Sequence, residues 1–341
     1  MQWRPLAGSS RERYRLATGH RNCNNGTVFV RVESSVRQTI IFFPQHTRSA
    51  LFEQATPPWQ RILQRVAATP AGSPLAPPDR LASLFGGAHI PWAALMARQQ
   101  GLVAHDAQHW ACLEPVRLSP GRDTLILDGK PQVPQDLGAP FLKALTGLIA
   151  PLGWQVASTL EGRVLIRADQ PLGLTTEPWW RAWKQDIRGY WPCGPQQRVW
   201  QQIFNELQML MHLDMRPNKL GNVGLGQVAN AWWLWGEGAI TASTAAWTNV
   251  YADDAIATLL CVWQGTRAMP LAHVLDRALP RGNTLIILGQ CLPQGREEEV
   301  LDIDFLDKLS HLVTTQGQHA INFIFADGAS GRWRPKRWGL W

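Results

Sequence analysis

Asn230-Ala231-Trp232-Trp233-Leu234-Trp235-Gly236-Glu237-Gly238 decides how the rest of this 341-residue chain is read. An unbroken apolar run rich in aromatic rings predicts a buried strand, and the glycines that close it predict a tight turn. Just upstream, residues 198–213 give the clearest helical pattern in the sequence. Val199, Ile203, Leu207 and Leu210 recur on one face, with Asn205, Gln208 and His212 on another. Between helix and strand, Gly224-Leu225-Gly226-Gln227-Val228-Ala229 fits the dinucleotide pattern G-x-G-x-x-A. That pattern works only between a strand and a following helix, where a pyrophosphate meets the helix N-terminus. Here the order is reversed, so the glycines are read as a loop that positions Asn230.

Working downstream, strand and helix patterns alternate: strand 247–251, helices 255–263 and 271–279, strand 284–288, helix 300–313 and strand 320–325. Such alternation predicts an α/β fold with a mostly parallel sheet covered by helices. Working upstream, Thr39-Ile40-Ile41-Phe42-Phe43-Pro44 is β-branched and aromatic and predicts a buried first strand. Phe52, Trp59, Ile62, Leu63 and Val66 suit an amphipathic helical segment interrupted at Pro57-Pro58. A Pro/Ala/Gly/Ser-rich linker at 69–79 and a helical stretch at 81–98 follow. Residues 124–167 form a compact α+β unit: strand 124–127, turn Asp128-Gly129, helix 141–150, strands 154–157 and 163–167. Trp179, Trp180, Trp183, Trp191 and Trp200 come next. A Trp-lined ligand wall is one use for them; core packing is the expected one, given the area each ring buries.

Composition narrows the class. Apolar residues make up 45% and charged residues 17%, and no apolar run approaches the ~20 residues needed to cross a bilayer, so disorder and a membrane span are excluded. Cys23, Cys112, Cys193, Cys261 and Cys291 are odd in number and widely spaced, and no signal-peptide pattern opens the chain. They are read as reduced thiols of a cytoplasmic protein, packed as small apolar groups. The net charge is +7, but Arg4, Arg11, Arg13, Arg15, Arg21 and Arg31 face only Glu12 and Glu33 in residues 1–35, which hold most of the excess. That segment has no periodicity and is expected to be a translated leader, with the true start near Val32 or Val36, or else a disordered basic arm.

Chemical motifs are sparse. The histidines include no H-E-x-x-H and no pair at zinc spacing. Asp307 and His311 stand four apart and share a helix face, where a solvated pair is the common outcome. Glu297-Glu298-Glu299 suits a helix N-terminus. Neither a G-x-S-x-G elbow nor a P-loop is present. The segment Arg332-Trp333-Arg334-Pro335-Lys336-Arg337-Trp338 has the composition of a single-strand nucleic-acid binder. After strand 320–325 and the turn Asp327-Gly328 it is read instead as an edge strand with its cations in water.

Pro217-Asn218, Ala229-Asn230 and Trp233-Leu234-Trp235-Gly236-Glu237-Gly238 together resemble a motif of archaeal-type cofactor-independent phosphoglycerate mutases. There a helix ends in His-Pro-Val-Asn, and a glycine-containing loop leads to Ala-Asn and Trp-x-Trp-Gly-x-Gly. From Thr39 to Trp341 the chain is more similar still to the RpfE-type bacterial regulatory proteins, a branch of that family. The resemblance implies an alkaline-phosphatase-like α/β domain made of 36–110 and 195–341, with an α+β domain, 111–194, inserted between the two parts.

The family's reaction uses two divalent metals held by Asp and His, and a Ser nucleophile. Against that pattern the first strand here runs into Pro44-Gln45-His46 rather than Asp-Gly. The segment 290–299 holds no His, and the closing Asp-His pair survives only as Asp327-Gly328. The resemblance therefore implies a pseudoenzyme with no catalytic residue and no cofactor. His46, Asp307, His311 and Asp327 are the residues left if a metal is bound after all, in a mutase or phosphohydrolase with rearranged ligands. Ligand-binding candidates are Asn218, Asn230, Trp235, Gly236, Gly238, His212 and Arg117, for a small anion or sugar phosphate. A protein partner is the other expectation; a membrane is not, and nucleic acid is the least favoured. For Asn230 the competing structural role is a buried amide that satisfies loop backbone.

Overall fold

Thr39–Phe42, strand β1, forms the middle of a six-stranded sheet. It pairs in parallel with β9 (Thr284–Ile287) on one side and β10 (Ile321–Ile324) on the other. A strand covered on both faces needs apolar residues at every position, which is what the Ile-Ile-Phe-Phe run supplies. The computed structural model describes residues 38–69, 75–86, 89–103, 107–129, 139–214, 229–243, 247–276, 282–292, 302–316 and 320–334. The expected leader at 1–35, the glycine loop at 221–228 and Glu297-Glu298-Glu299 lie outside them.

The sheet order is β2-β11-β10-β1-β9-β8, with β2 at Ala67–Thr69, β8 at Asn249–Tyr251 and β11 at Ser330–Trp333. The pairs β1 to β9, β1 to β10 and β8 to β9 are parallel; β11 runs antiparallel to both β10 and β2. The expectation of a mostly parallel sheet therefore holds. The C-terminal strand is not an edge, because β2 covers it. Arg332 faces water as expected, while Trp333 is buried.

Side chains alternate across a strand, and the two faces of β1 enter two separate cores. Ile41 and Phe43 pack with α1 (Arg48–Gln54), α2 (Pro57–Arg65) and α8 (Ile303–Gln316). Ile40 and Phe42 pack with α3 (Pro77–Leu84), α4 (Trp92–Gln99) and α7 (Ala255–Gln264). Pro57-Pro58 and Pro77-Pro78 each occupy the first helical positions, where a missing N–H costs nothing. The stretch read as linker thus ends inside α3, and the helical stretch at 81–98 is two helices. Among the described residues, 271–279 forms only a single 3-10 turn, Leu271–Val274.

A second sheet is antiparallel. Strand β3 (His109–Pro120) is its centre, flanked by β4 (Leu125–Gly129), β6 (Arg163–Ala168) and β7 (Ala231–Gly238), with β5 (Gln155–Leu160) outside β6. The β5–β6 hairpin closes on Glu161 and Gly162, both at positive φ, as a two-residue turn of the twist-matched type requires. Strand β7, from the stretch 195–341, joins β3 rather than the parallel sheet. Helices α5 (Ala139–Ile149) and α6 (Gln197–Asp214) belong to this layer, and Phe141 stacks on Trp232 at 5.2 Å. Helix α4 lies between the layers and is buried from Trp92 through Ala97. Its Ala-rich sequence lets β3, β7 and α7 approach it closely.

Candidate functional site

The carboxyl ends of the parallel strands β1, β8, β9 and β10 meet in one place, and open α/β sheets bind their ligands there. Gln45, just past β1, donates through Nε2 to the Gln290 carbonyl at 2.6 Å. Gln290 in turn donates through Nε2 to the Asp253 carbonyl at 2.6 Å. Asp254 caps α7: Oδ1 accepts from the Ala257 N–H at 2.7 Å and Oδ2 from the Cys291 N–H at 2.8 Å. It is 2% exposed, and burial raises its pKa against the opposing pull of those N–H groups. The His46 carbonyl accepts from the Ala326 N–H at 3.0 Å, which seats the loop after β1 beside the turn holding Asp327. Asp327 Oδ1 accepts from the Ala329 N–H at 3.0 Å.

The four candidate metal ligands are therefore split. His46 and Asp327 share the sheet end. Asp307 lies on α8, where its carboxylate accepts from the Thr56 hydroxyl ahead of α2. His311, one turn on, is exposed. Among the described residues no group of three or more His, Cys, Asp or Glu side chains could hold a metal ion. Gln45, His46, Asp253, Asp254, Gln290 and Asp327 thus come to one end of the sheet without three of their imidazole or carboxylate groups meeting as a metal site among the described residues.

The second cluster of candidates follows β7. Asn230 is exposed as a residue, yet both ends of its amide are bonded to β3. Oδ1 accepts from the Leu118 N–H and Nδ2 donates to the Leu118 carbonyl, each at 2.7 Å. The side chain thus imitates one more peptide of β7 along β3, serving strand backbone rather than the loop expected from the sequence. Trp235 is buried, 5.0 Å from Trp180 in edge-to-face contact. Gly236 has φ +71°, and a Cβ there would stand 3.0 Å from the Ala93 amide nitrogen. Gly238, at φ +146°, would meet Pro91 at 3.1 Å. These glycines exist to let α4 pack on β7. Arg117 is half-buried beside Gly129. Asn218 and the His212 side chain lie outside the described residues.

Sequence reasoning passed over Glu237 within the same motif. Its carboxylate stands 3.9 Å from His109 Nδ1 and 4.0 Å from His89 Nε2, and His89 Nε2–H donates to the Glu237 carbonyl at 2.8 Å. Burial raises the Glu237 pKa, opposed by the His89 charge, and burial lowers that of His109. Burial thus favours the uncharged form of both groups. A raised folded pKa makes this group's stabilisation complete below its ordinary value of 4.5 and lost as pH rises through the folded value. His109 contributes the opposite slope. Glu237→Gln is therefore expected to flatten the fall in stability with rising pH, read as the difference between variant and wild-type urea midpoints from about pH 4 to 8. Parallel profiles would rule it out.

No protein-family model matches the chain, and no curated protein matches its sequence significantly. Two solved structures show a distant likeness. The PH0037 protein from Pyrococcus horikoshii aligns at TM-score 0.45 and 8% identity, over 87% of this chain and 86% of that one. A cofactor-independent phosphoglycerate mutase from Thermoplasma acidophilum aligns at TM-score 0.39 and 11% identity, over 88% and 90%.

Proposed function

We propose that this chain is a non-catalytic binding or regulatory protein on a phosphoglycerate-mutase-like scaffold of the RpfE type, taking a small anion or sugar phosphate as ligand. The reading rests on the side chains at the carboxyl ends of β1, β8 and β9. Two-metal phosphoryl transfer needs metal ions about 3.5–4 Å apart, each neutralising a developing negative charge. Gln45 and Gln290 carry no charge to neutralise a metal, and both spend their N–H groups on loop carbonyls. Asp254 has both oxygens committed to backbone N–H groups. These bonds hold the loops in register, as expected of a scaffold that binds without turnover. In this reading the segment 111–194, joined by β7, is an insertion into the parallel-sheet domain. Among the described residues Cys112, Cys193, Cys261 and Cys291 form no disulfide with one another, which suits the reducing cytoplasm.

The test is elemental analysis of protein purified without chelators, with mutase and phosphatase assays supplemented with manganese and calorimetric titration of phosphoglycerate. Expected are no turnover and a binding isotherm that manganese leaves unchanged. Metal-dependent turnover would overturn the reading and make His46 and Asp327 the first residues to substitute.

A further inference from the structure

Three segments meet at the end of β7, each bringing one titratable side chain. Glu237, next to last in β7, has its carboxylate 3.9 Å from Nδ1 of His109, the first residue of β3, and 4.0 Å from Nε2 of His89 on the segment that enters α4. Both gaps exceed the roughly 3.2 Å of a sound hydrogen bond. His109 Nδ1 is buried and has no hydrogen-bond partner among the described residues. A protonated Nδ1 would close on the carboxylate to about 2.7–2.9 Å, so the gap fits Nδ1 as a bare acceptor. Shorter contacts tie the segments together. His89 Nε2–H donates to the Glu237 carbonyl at 2.8 Å, Trp110 pairs with Gly238, and the Glu237 N–H reaches the Thr176 hydroxyl at 3.4 Å. A Cβ on Gly238 would stand 3.2 Å from His89 Nε2 and 3.1 Å from Pro91, so the entry to α4 lies directly on the strand end. Charges on the adjoining segments are engaged or wet: Glu177 is bound by Arg181, Arg167 donates to Gln155, and Asp169, just past β6, is exposed. From Trp92 through Ala97, α4 brings no ionisable group. Burial raises the affinity of Glu237 for a proton and lowers that of His109, which brings the two toward one another.

We propose that Glu237 and His109 form a proton-operated clasp: one proton taken up as pH falls bridges Glu237 Oε1 to His109 Nδ1 and fastens the end of β7, with the entry of α4, onto β3. Without that proton a carboxylate faces an imidazole lone pair across 3.9 Å, and nothing joins them. With it, the carboxyl O–H donates to Nδ1 while the His109 ring proton stays on Nε2. His89 carries the change to α4. Its bond to the Glu237 carbonyl persists throughout, since Nε2 holds a proton both in the imidazole tautomer that donates and in the imidazolium.

Hydrogen exchange of the full chain tests this, read by mass spectrometry at about pH 7.5 and about pH 5 and divided by the intrinsic exchange rate at each pH. Amides of 89–99 and 231–238 are expected to be protected about fivefold or more better at the lower pH, while those of 303–316 on α8 do not change. Glu237→Gln sets a permanent amide donor against Nδ1, so the same amides are expected to be equally protected at both pH values. His89→Gln keeps a donor for the Glu237 carbonyl and removes the imidazole charge, so the response is expected to remain. Circular dichroism checks folding. If Glu237→Gln does not fold, His109→Asn, which takes up no proton, decides and is expected to lose the response. No response in the wild type, one shared equally by 303–316, one that survives Glu237→Gln or His109→Asn, or one lost in His89→Gln overturns the inference.

Discussion

Arg163→Ala is expected to destabilise the fold by about 3–5 kcal/mol, because it strands a buried carboxylate. Glu114 sits at the centre of β3 between β6 and β7, with its side chain 1% exposed. Arg163 Nε reaches both of its oxygens, at 3.0 and 2.8 Å. Without the guanidinium, this buried carboxylate loses its charge-assisted partner inside the sheet. The penalty measures the orphaned charge rather than the worth of the pair. Accordingly, the double variant Glu114→Leu with Arg163→Leu is expected to recover most of the loss. Urea unfolding followed by circular dichroism reads both. A loss below about 1 kcal/mol for Arg163→Ala, the scale of a surface ion pair, would show that solvent reaches Glu114 after all.

Trp180→Ala is expected to cost a similar amount, about 3–5 kcal/mol, through lost apolar burial and the cavity left behind. Trp180 is 4% exposed and makes edge-to-face contacts with three other indoles: Trp92 on α4 at 5.6 Å, Trp179 at 5.9 Å and Trp235 on β7 at 5.0 Å. The neighbouring Arg181 anchors this turn to α3 by donating to both Asp79 oxygens, at 2.8 and 3.0 Å. The ring therefore joins the helix between the layers to the antiparallel sheet. Trp180→Phe is expected to retain roughly half of the stability lost in the alanine variant, since part of the ring area survives. Equal losses for the two substitutions would mean that the indole's exact shape, rather than its bulk, sustains the contact.

Local pattern made much of this legible. β1 declared itself by an apolar run with no polar alternation, and α6 by a regular 3.6-residue face. The helix and short strands of the α+β unit at 124–167 followed from apolar runs set between turn residues. What failed to show was pairing between distant segments. Nothing within Ala231–Gly238 says that its partner is β3, because a strand buried on both faces looks the same in either sheet. Pro77-Pro78-Asp79 falls in the stretch expected to be linker, although proline in the first helical turn marks a beginning. Asp307 and His311 do share one helix, as their spacing predicts. Which way that helix faces depends on α2, whose N-terminal Thr56 engages Asp307. Asn230 was singled out by its motif, but its amide serves the β3 backbone rather than an open site.

The central position of β1 has a consequence for how the chain is made. Both of its neighbours lie far downstream, starting at Thr284 and Ile321. At about 5–20 residues per second, a ribosome needs on the order of 10–60 s after completing β1 before either strand exists. During that interval the antiparallel layer can finish, since its last strand ends at Gly238. Meanwhile Ile40, Ile41, Phe42 and Phe43 wait with both hydrogen-bonding edges open. A nascent chain of this design presents an unpaired apolar strand until β9 and β10 have been made.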